Sequence, residues 1–414
     1  MIANEHAAPP SGSTRNPILW GAYLACSWTW CIGMFLPVLL LRDFGWAGFA
    51  VFAVPNVLGA AAMGWVLRTR EQSIEMIRKH ATAVWWFSTV TIAFHAFWLL
   101  WVMNTVLKPA LPMTQNTLFG AGASVIAFWF VLRRAGYFHR VPHLAMVLWG
   151  FSALVLIATF ALPDLQPSIQ QLHQSHPSRS AAIFMLPIST FGFLLCPYLD
   201  VTFHHARQSL GSSGNARLGF TLGFLVFFAA MILLTTRYSG VFLDAIEGRQ
   251  VNPTQTVWIG AVLFAHVLCQ WAFTVRVHLQ HIKDLPSKVP DQRVLFGLAL
   301  LAGLVGFLAF RLPQYAGLSG GEIIYRSFMG AYGLVFPTYV LFRMIMARSG
   351  RPPMSLPAMW TTIILATPMF WMGFMRRDSV WLAPGIAIVL LVAGIGWINR
   401  RQNPSGSVTN DALG

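Results

Sequence analysis

Long apolar stretches separated by short polar connectors run through nearly the whole chain. The hydrocarbon layer of a bilayer is ~30 Å thick and an α-helix rises ~1.5 Å per residue, so a transmembrane helix needs ~20 apolar residues. A window of that length predicts twelve transmembrane helices, at residues 17–41, 46–67, 81–106, 117–133, 142–162, 181–206, 217–236, 256–278, 294–311, 322–346, 357–375 and 380–399. We therefore expect an all-α integral membrane protein.

The two ends of the chain differ from this apolar pattern. Residues 1–16 and 400–414 are polar and rich in Ser, Pro, Asn and Gly, which predicts disordered tails. We expect no soluble domain between or after the helices. The function is then exerted within the membrane or across it.

Composition and charge agree with a lipid environment. The chain is 56% hydrophobic and 10% charged, whereas a soluble domain carries roughly 25% charged residues, so a water-soluble core is excluded. The net charge of +15 alone would suggest a nucleic-acid partner, but the basic residues cluster at the ends of apolar stretches. We expect no nucleic-acid partner, no cofactor and no metal site, and interpret the four cysteines as buried apolar side chains.

The positive charges predict an orientation, because Lys and Arg resist translocation. Of the 28 Lys and Arg residues, 19 lie in the two tails and the even-numbered connections, and the others lie on the opposite side. The prediction is a multi-pass protein of the inner (plasma) membrane with both termini in the cytoplasm.

Polar side chains are concentrated in five of the predicted helices. In lipid such side chains face the bundle interior or a water-filled path. The third and eighth helices each carry theirs along one face. The polar positions of the first, third, sixth, eighth and tenth helices include Trp28, Thr29, Ser88, Thr91, His95, Ser189, Asp200, His204, His266, Gln270 and Tyr332.

The first and sixth helices also carry Gly and Pro near their middles, at Gly33 to Pro37 and at Gly192 to Pro197. Proline removes a helical hydrogen bond and clashes with the preceding turn. Backbone groups freed in this way are tolerated in a bilayer only where they line a cavity or meet a ligand. We therefore predict that both helices are interrupted at these positions.

Two interrupted helices offset by five are typical of inverted-repeat transporters. The pattern resembles the leucine-transporter fold of the amino acid, polyamine and organocation superfamily. The resemblance implies two inverted five-helix repeats, at 17–162 and 181–346, followed by two further helices at 357–399. It implies a symporter-like secondary active transporter that moves a small polar organic solute by alternating access, and not an enzyme.

In that superfamily the first and sixth helices bind the substrate, and the third, eighth and tenth close the site. The resemblance therefore implies a substrate path near Trp28, Thr29, Gly33, Ser88, Thr91, His95, Ser189, Gly192, Asp200, His266, Gln270 and Tyr332. Sodium-coupled members place two hydroxyl residues on the cytoplasmic half of the eighth helix, where this chain offers only Thr274. A proton is thus the expected coupling ion rather than sodium.

Asp200 is the acidic residue that lies well inside a predicted helix. A carboxylate in lipid is costly unless it is paired or neutralised. His204 follows one helical turn later, and we hypothesise that the two share a proton. A purely structural role for Asp200 is the alternative. At the outer surface, Glu322 and Arg326 have the spacing of an ion pair on one helix.

Two other classes of protein remain open. Histidine ligates haem, copper and zinc, so a membrane redox or metal enzyme is one alternative, although no paired-histidine pattern of such enzymes is recognisable. A non-transporting receptor is the other. A sugar-transporter-like fold is disfavoured because the connection after the sixth helix is short.

Overall fold

The computed structural model describes residues 15–107, 141–161, 179–246, 262–286, 289–349 and 352–402. Within these ranges the chain is helical apart from short connectors. The α-helices are α1 Pro17–Trp28, α2 Cys31–Val66, α3 Arg70–Lys79, α4 Ala81–Val102, α5 Val141–Ala161, α6 Leu186–Leu195, α7 Val201–Ser209, α8 Ser213–Leu222, α9 Ala229–Ile246, α10 Cys269–Ile282, α11 Gln292–Leu308, α12 Gly320–Gly330, α13 Phe336–Tyr339, α14 Leu356–Met375 and α15 Leu382–Gln402.

Nine helical segments in the described ranges are long and apolar enough to cross a membrane. The prediction of an all-α integral membrane protein is confirmed. The predicted fourth helix, 117–133, lies outside the described residues, so the count of twelve stays a prediction. The predicted tails also lie largely outside them, although α15 continues to Gln402 and thus into the predicted C-terminal tail.

The first predicted helix is interrupted, but earlier than its Gly and Pro residues suggested. Helix α1 ends at Trp28, Thr29 and Trp30 leave the helical conformation, and α2 begins at Cys31. The expectation of a break at Gly33 to Pro37 is wrong, since Pro37 lies inside α2. Two side-chain bonds to the end of α1 terminate it instead: Thr29 Oγ1 donates to the Ala25 carbonyl (2.8 Å) and Trp30 Nε1 to the Ser27 carbonyl (2.5 Å).

Helix α2 contains the second half of the first predicted helix and the whole of the second. The two arms meet at Gly45, whose φ of 63° lies in the left-handed region that glycine adopts readily. A Cβ on Gly48 would collide with the Leu40 carbonyl, so the arms pack in direct backbone contact. The predicted connector between the first and second helices is confirmed.

The sixth predicted helix is interrupted close to its predicted position. After α6, a 3₁₀ turn at Cys196–Leu199 leads to Asp200, which is extended (ψ 112°), and α7 follows. The predicted break at Gly192 to Pro197 is confirmed, although the chain leaves the α-helical conformation only from Cys196 onward.

The tenth predicted helix is also irregular. Between α12 and α13 the chain forms a π-helical turn, Ala331–Val335, and a second one, Val340–Ile345, follows α13. Such turns insert an extra residue per turn and occur frequently at functional sites. The first of them carries Tyr332 toward the centre of the bundle, where α1, α2, α4 and α6 meet.

Candidate functional site

The two interruptions lie against each other. Thr202, in the first turn of α7, places its hydroxyl 3.0 Å from Ser27 Oγ near the end of α1. The ring of Trp28 lies edge-on to that of Phe203, with centroids 4.9 Å apart. The ends of four half-helices therefore converge on one region of the bundle.

A histidine of α4 supports the start of α2. His95 Nδ1 donates to the Thr91 carbonyl (2.7 Å), which leaves Nε2 as an acceptor for the Cys31 N–H (3.4 Å). Tyr325 of α12 donates to the Cys31 carbonyl (3.0 Å). The first peptide group of α2 is thus satisfied by side chains of two other helices, so this break is a built feature of the fold.

A cavity that is partly open to its surroundings lies beside the break. It begins at Trp28 and Trp30 and extends between α2, α6 and α12 toward Arg326 and Arg377. Most of its wall is apolar. The lining residues include Ile32, Gly33, Leu36, Leu39, Phe44, Ile188, Ser189, Gly192, Phe193, Cys196, Met329, Tyr332 and Phe374.

A few polar groups interrupt this apolar wall. Asn56 accepts a hydrogen bond from Trp28 Nε1 (2.7 Å), and the hydroxyl groups of Tyr332 and Thr91 are 3.0 Å apart. The Cys196 thiol donates to the Tyr332 carbonyl (3.1 Å). These polar groups in and beside the cavity wall are therefore already oriented by protein partners, which is typical of a pre-formed binding site.

A buried ion network lies at the end of the bundle toward which the cavity extends. Arg42 donates to both oxygens of Glu322 (3.0 and 2.5 Å) and to Asp43 (2.9 Å), while Arg326 donates to Glu322 (2.9 Å) and to Asp43 (2.5 Å). All four side chains are at most 9% exposed. The predicted Glu322–Arg326 pair is confirmed. We call the end of the bundle that holds this network and Arg377 the charged end.

The opposite end, where α1 begins, we call the basic end. Arg207 of α7 donates there to the carbonyls of Leu67 and Arg68, each at 2.7 Å. Arg207 thereby holds the connector between α2 and α3 against α7. This connector leads into α3, where the exposed Arg78 and Lys79 pair with Glu75.

Asp200 is completely buried and caps α7. Its Oδ1 accepts hydrogen bonds from the backbone N–H and the hydroxyl of Thr202, both at 2.7 Å. The second oxygen, Oδ2, faces Nε2 of His278 on α10 at 4.0 Å. His278 Nδ1 in turn lies 3.0 Å from Ser88 Oγ on α4.

The expected pairing of Asp200 with His204 is wrong. His204 Nε2 donates to the Tyr198 carbonyl (3.0 Å), and its Nδ1 lies 2.9 Å from the Ser73 hydroxyl of α3. Both ring nitrogens thus have partners elsewhere, and the Asp200 carboxylate is turned onto the Thr202 N–H as the cap of α7. His278, which is 78 positions further along the chain, lies opposite the carboxylate instead.

Two further predicted residues lie apart from the cavity. His266 Nδ1 is 2.9 Å from Ser152 Oγ on α5, and Gln270 Nε2 donates to the same hydroxyl (3.2 Å). They form a separate polar contact between α5 and the eighth predicted helix. Of the other predicted residues, those that line the cavity are Trp28, Gly33, Ser189, Gly192 and Tyr332.

Three residues of the site were missed from the sequence: Trp30, Asn56 and His278. Trp30 is 2% exposed and lies in the first break, with its ring 5.5 Å from that of Tyr332 and 5.7 Å from that of His278. Asn56 is a single amide in an otherwise apolar helix, and a polar atom in lipid is itself a signal. Trp30 therefore touches both the cavity and His278.

The described residues hold no group of three or more His, Cys, Asp or Glu side chains placed to bind a metal ion. The fold and the cavity define an integral membrane protein whose interrupted helices border a mostly apolar cavity.

Comparisons with known proteins found similar solved structures but no matching family. No family model matches the chain, and no curated protein matches it significantly. It is similar to the crystal structure of a manganese transporter of Eremococcus coleocola bound to an aromatic bis-isothiourea compound, at 14% identity over 97% of this chain and 98% of that chain, with a TM-score of 0.49. Two structures of mutants of that transporter match at 13% identity over 97% of each chain, with TM-scores of 0.44 and 0.45.

Proposed function

We propose that this protein is a secondary active transporter that moves a small organic solute across the membrane by alternating access. One observation supports the proposal above the others: the interruptions after α1 and after α6 lie side by side at the inner limit of a cavity. Unpaired backbone groups in hydrocarbon cost several kcal/mol each. At the first break the side chains of His95 and Tyr325 satisfy them beside the cavity, and broken helices of this kind line the substrate path in transporters. Binding and release of a solute is the use such a path serves.

The two ends of the bundle differ in packing, as expected for one state of an alternating-access cycle. The cavity lies between Trp30 and the charged end. Toward the basic end the bundle is filled by Tyr23, His205 and His281, whose rings pack together. We infer that the structure represents a state closed toward the basic end. By the distribution of Lys and Arg, the basic end faces the cytoplasm.

The wall of the cavity favours a solute with a sizeable apolar body. Apolar and aromatic side chains form most of the lining, with a few oriented polar groups such as Asn56 and Tyr332. A divalent metal ion such as manganese prefers several oxygen ligands, carboxylates among them. We therefore propose an organic solute, such as an amino acid or a carboxylate with an apolar or aromatic body, and include Mn²⁺ as a competing outcome of the test.

Uptake by the reconstituted protein tests this function. Proteoliposomes with an imposed pH gradient are given radiolabelled probes in turn: neutral, acidic and basic amino acids, short aromatic carboxylates, and Mn²⁺. We expect saturable accumulation of an organic probe that collapses when the pH gradient is dissipated. Saturable binding without accumulation of any probe would instead indicate a receptor. Accumulation of Mn²⁺ alone would overturn the organic solute.

Gly192 provides a variant that should abolish this uptake. It lines the cavity, and a Cβ at this position would lie 3.0 Å from the Tyr332 carbonyl. We expect Gly192→Leu to fill the cavity and to push α6 away from Tyr332, with near-complete loss of uptake. Gly150→Leu is the matched control, because a Cβ there meets nothing within 4 Å. Uptake that survives Gly192→Leu at the level of Gly150→Leu would contradict the assignment of this cavity.

A further inference from the structure

The carboxylate of Asp200 and the imidazole of His278 form an isolated pair in the bundle. Both side chains are fully buried. Neither Asp200 Oδ2 nor His278 Nε2 has a hydrogen-bond partner within the described residues, and these two atoms are 4.0 Å apart. Two polar atoms that face each other without a bond are costly in a medium of low dielectric.

A single proton relieves this cost. On Asp200 it would give a neutral acid beside a neutral imidazole, and on His278 it would give an ion pair. In either position one proton lets the two groups form a hydrogen bond with a modest approach. Without the proton, a buried carboxylate remains with only its Oδ1 bonded. The pair therefore has two states that differ in net charge by one and in local geometry.

A row of titratable groups connects this pair to the basic end. His278 and His281 are three residues apart on α10 and thus share a face. His281 Nε2 lies 3.0 Å from the Tyr23 hydroxyl, and its Nδ1 lies 3.8 Å from Asp284 Oδ2. The Asp284 side chain is 75% exposed. The row thus runs from a solvated carboxylate to a buried one.

Within the part of the chain that the structure describes, the surroundings add no formal charge to the pair. The titratable groups that interact electrostatically with Asp200 are Tyr23 of α1, Cys196 of the 3₁₀ turn and Tyr332 of the π-helical turn. Those that interact with His278 are His95 of α4 and His281 of the same helix. All of these side chains can remain neutral, so the state of the pair decides the local charge.

Trp30 connects the pair with the cavity. Its ring lines the cavity and contacts both Tyr332, which also lines it, and His278, which does not. A shift of His278 toward Asp200 would therefore remove packing from the Trp30 ring. This gives a direct route by which the proton state can change the shape of the cavity.

From this arrangement we infer that Asp200 and His278 jointly bind one proton, which is the coupling ion of the transport cycle and exchanges with the basic end through His281 and Asp284. The coupling role rests on the proposed function. Proton binding by the pair does not. On release the proton passes from the pair to the His281 imidazole and from there to Asp284 or water. No other reactant is needed.

Proton counting on the purified protein tests the site without any solute. A small pH step is applied in weak buffer, and the protons bound are measured with an indicator dye. We expect Asp200→Asn and His278→Gln each to lose the same single proton relative to the unsubstituted protein. The double variant should lose no more than either single variant, because the proton belongs to the pair. The matched control is His266→Gln, which replaces a buried histidine outside the site. It should bind as many protons as the unsubstituted protein.

The outcomes separate this inference from the proposed function. Equal proton counts in the unsubstituted protein, Asp200→Asn and His278→Gln would overturn the pair, even if uptake is observed. The expected loss of one proton would support it, even if no probe is accumulated. Where uptake exists, Asp200→Asn should abolish accumulation driven by the pH gradient but retain exchange of solute across the membrane, a pattern that a merely structural role would not produce. Loss of both activities together with an unchanged proton count would refute the coupling role.

Discussion

Replacing Glu322 with Gln is expected to lower the free energy of unfolding by about 3–5 kcal/mol, the usual cost of removing one partner from a buried ion pair. Glu322 accepts hydrogen bonds from Arg42 and Arg326, and the three side chains are almost fully buried. The substitution leaves two guanidinium groups with Asp43 as their remaining anion in the network. Unfolding by titration with a denaturing detergent, followed by circular dichroism, measures the change.

An exposed ion pair supplies the control. Glu75 pairs with Arg78 and Lys79 on α3, where all three side chains face solvent. Such surface pairs contribute little because water and salt screen them. Glu75→Gln should leave the unfolding transition unchanged. A Glu322→Gln variant as stable as Glu75→Gln would show that the network does not hold the charged end together.

A second large effect is expected at Trp30. Since Trp30 touches both the cavity and His278, Trp30→Ala should open a continuous path for protons between the two ends of the bundle. The proton permeability of proteoliposomes should then rise by about tenfold or more, which corresponds to a barrier lowered by about 1.4 kcal/mol. Vesicles loaded with a pH-sensitive dye and given a potassium diffusion potential report this leak directly.

The matched variant for this experiment is Trp30→Phe. It retains an aromatic ring between Tyr332 and His278 but loses the Nε1 bond to the Ser27 carbonyl. We expect the proton permeability of vesicles with this variant to equal that of vesicles with the unsubstituted protein. Since Trp→Ala in a core also costs about 3–5 kcal/mol of stability, the folded fraction of each variant is measured before reconstitution. Equal leak rates for the Ala and Phe variants at equal folded fraction would refute the barrier.

Much of this fold could be predicted because lipid imposes strong rules on a sequence. The apolar stretches indicated the approximate limits of most helices, and Gly45 lies where the first connector was expected. The break before α7 was predicted from Pro197 and its neighbours. The break after α1 was placed too late, because the rule for proline is local and the terminating bonds come from the side chains of Thr29 and Trp30. Pro37, by contrast, is accommodated within a helix.

The site was harder to predict than the helices. Asp200 could be selected because a carboxylate in lipid is rare, and the cavity does contain Trp28, Ser189, Gly192 and Tyr332. Its partner could not be found, since a helical spacing identifies neighbours on one helix and His278 approaches from another. Asp200 is the cap of α7 and not an interior position of a helix, so its carboxylate binds the Thr202 N–H instead of His204. Contacts between distant segments follow from packing, which the sequence pattern does not encode.

The internal arrangement suggests how these elements act together. Trp30 of the first break lines the cavity, and its ring also contacts that of His278. The cluster around Tyr23 and His281 fills the basic end, and the ion network lies at the charged end. Opening of the basic end with closure of the charged end, driven by the proton state, is the alternating access that we propose. The inverted repeat at 17–162 and 181–346 stays a prediction.

Access to Ser189 from the two sides of the membrane is the direct test of alternating access at this cavity. Ser189 lines the cavity, and Ser189→Cys is introduced into a chain in which Cys196, which also lines it, is replaced by Ser. An impermeant maleimide is applied to right-side-out and to inside-out vesicles, with the buried Ala366→Cys as the control. With alternating access, Ser189→Cys should be labelled from both sides and the control from neither. Labelling from one side alone, or from neither, would contradict it.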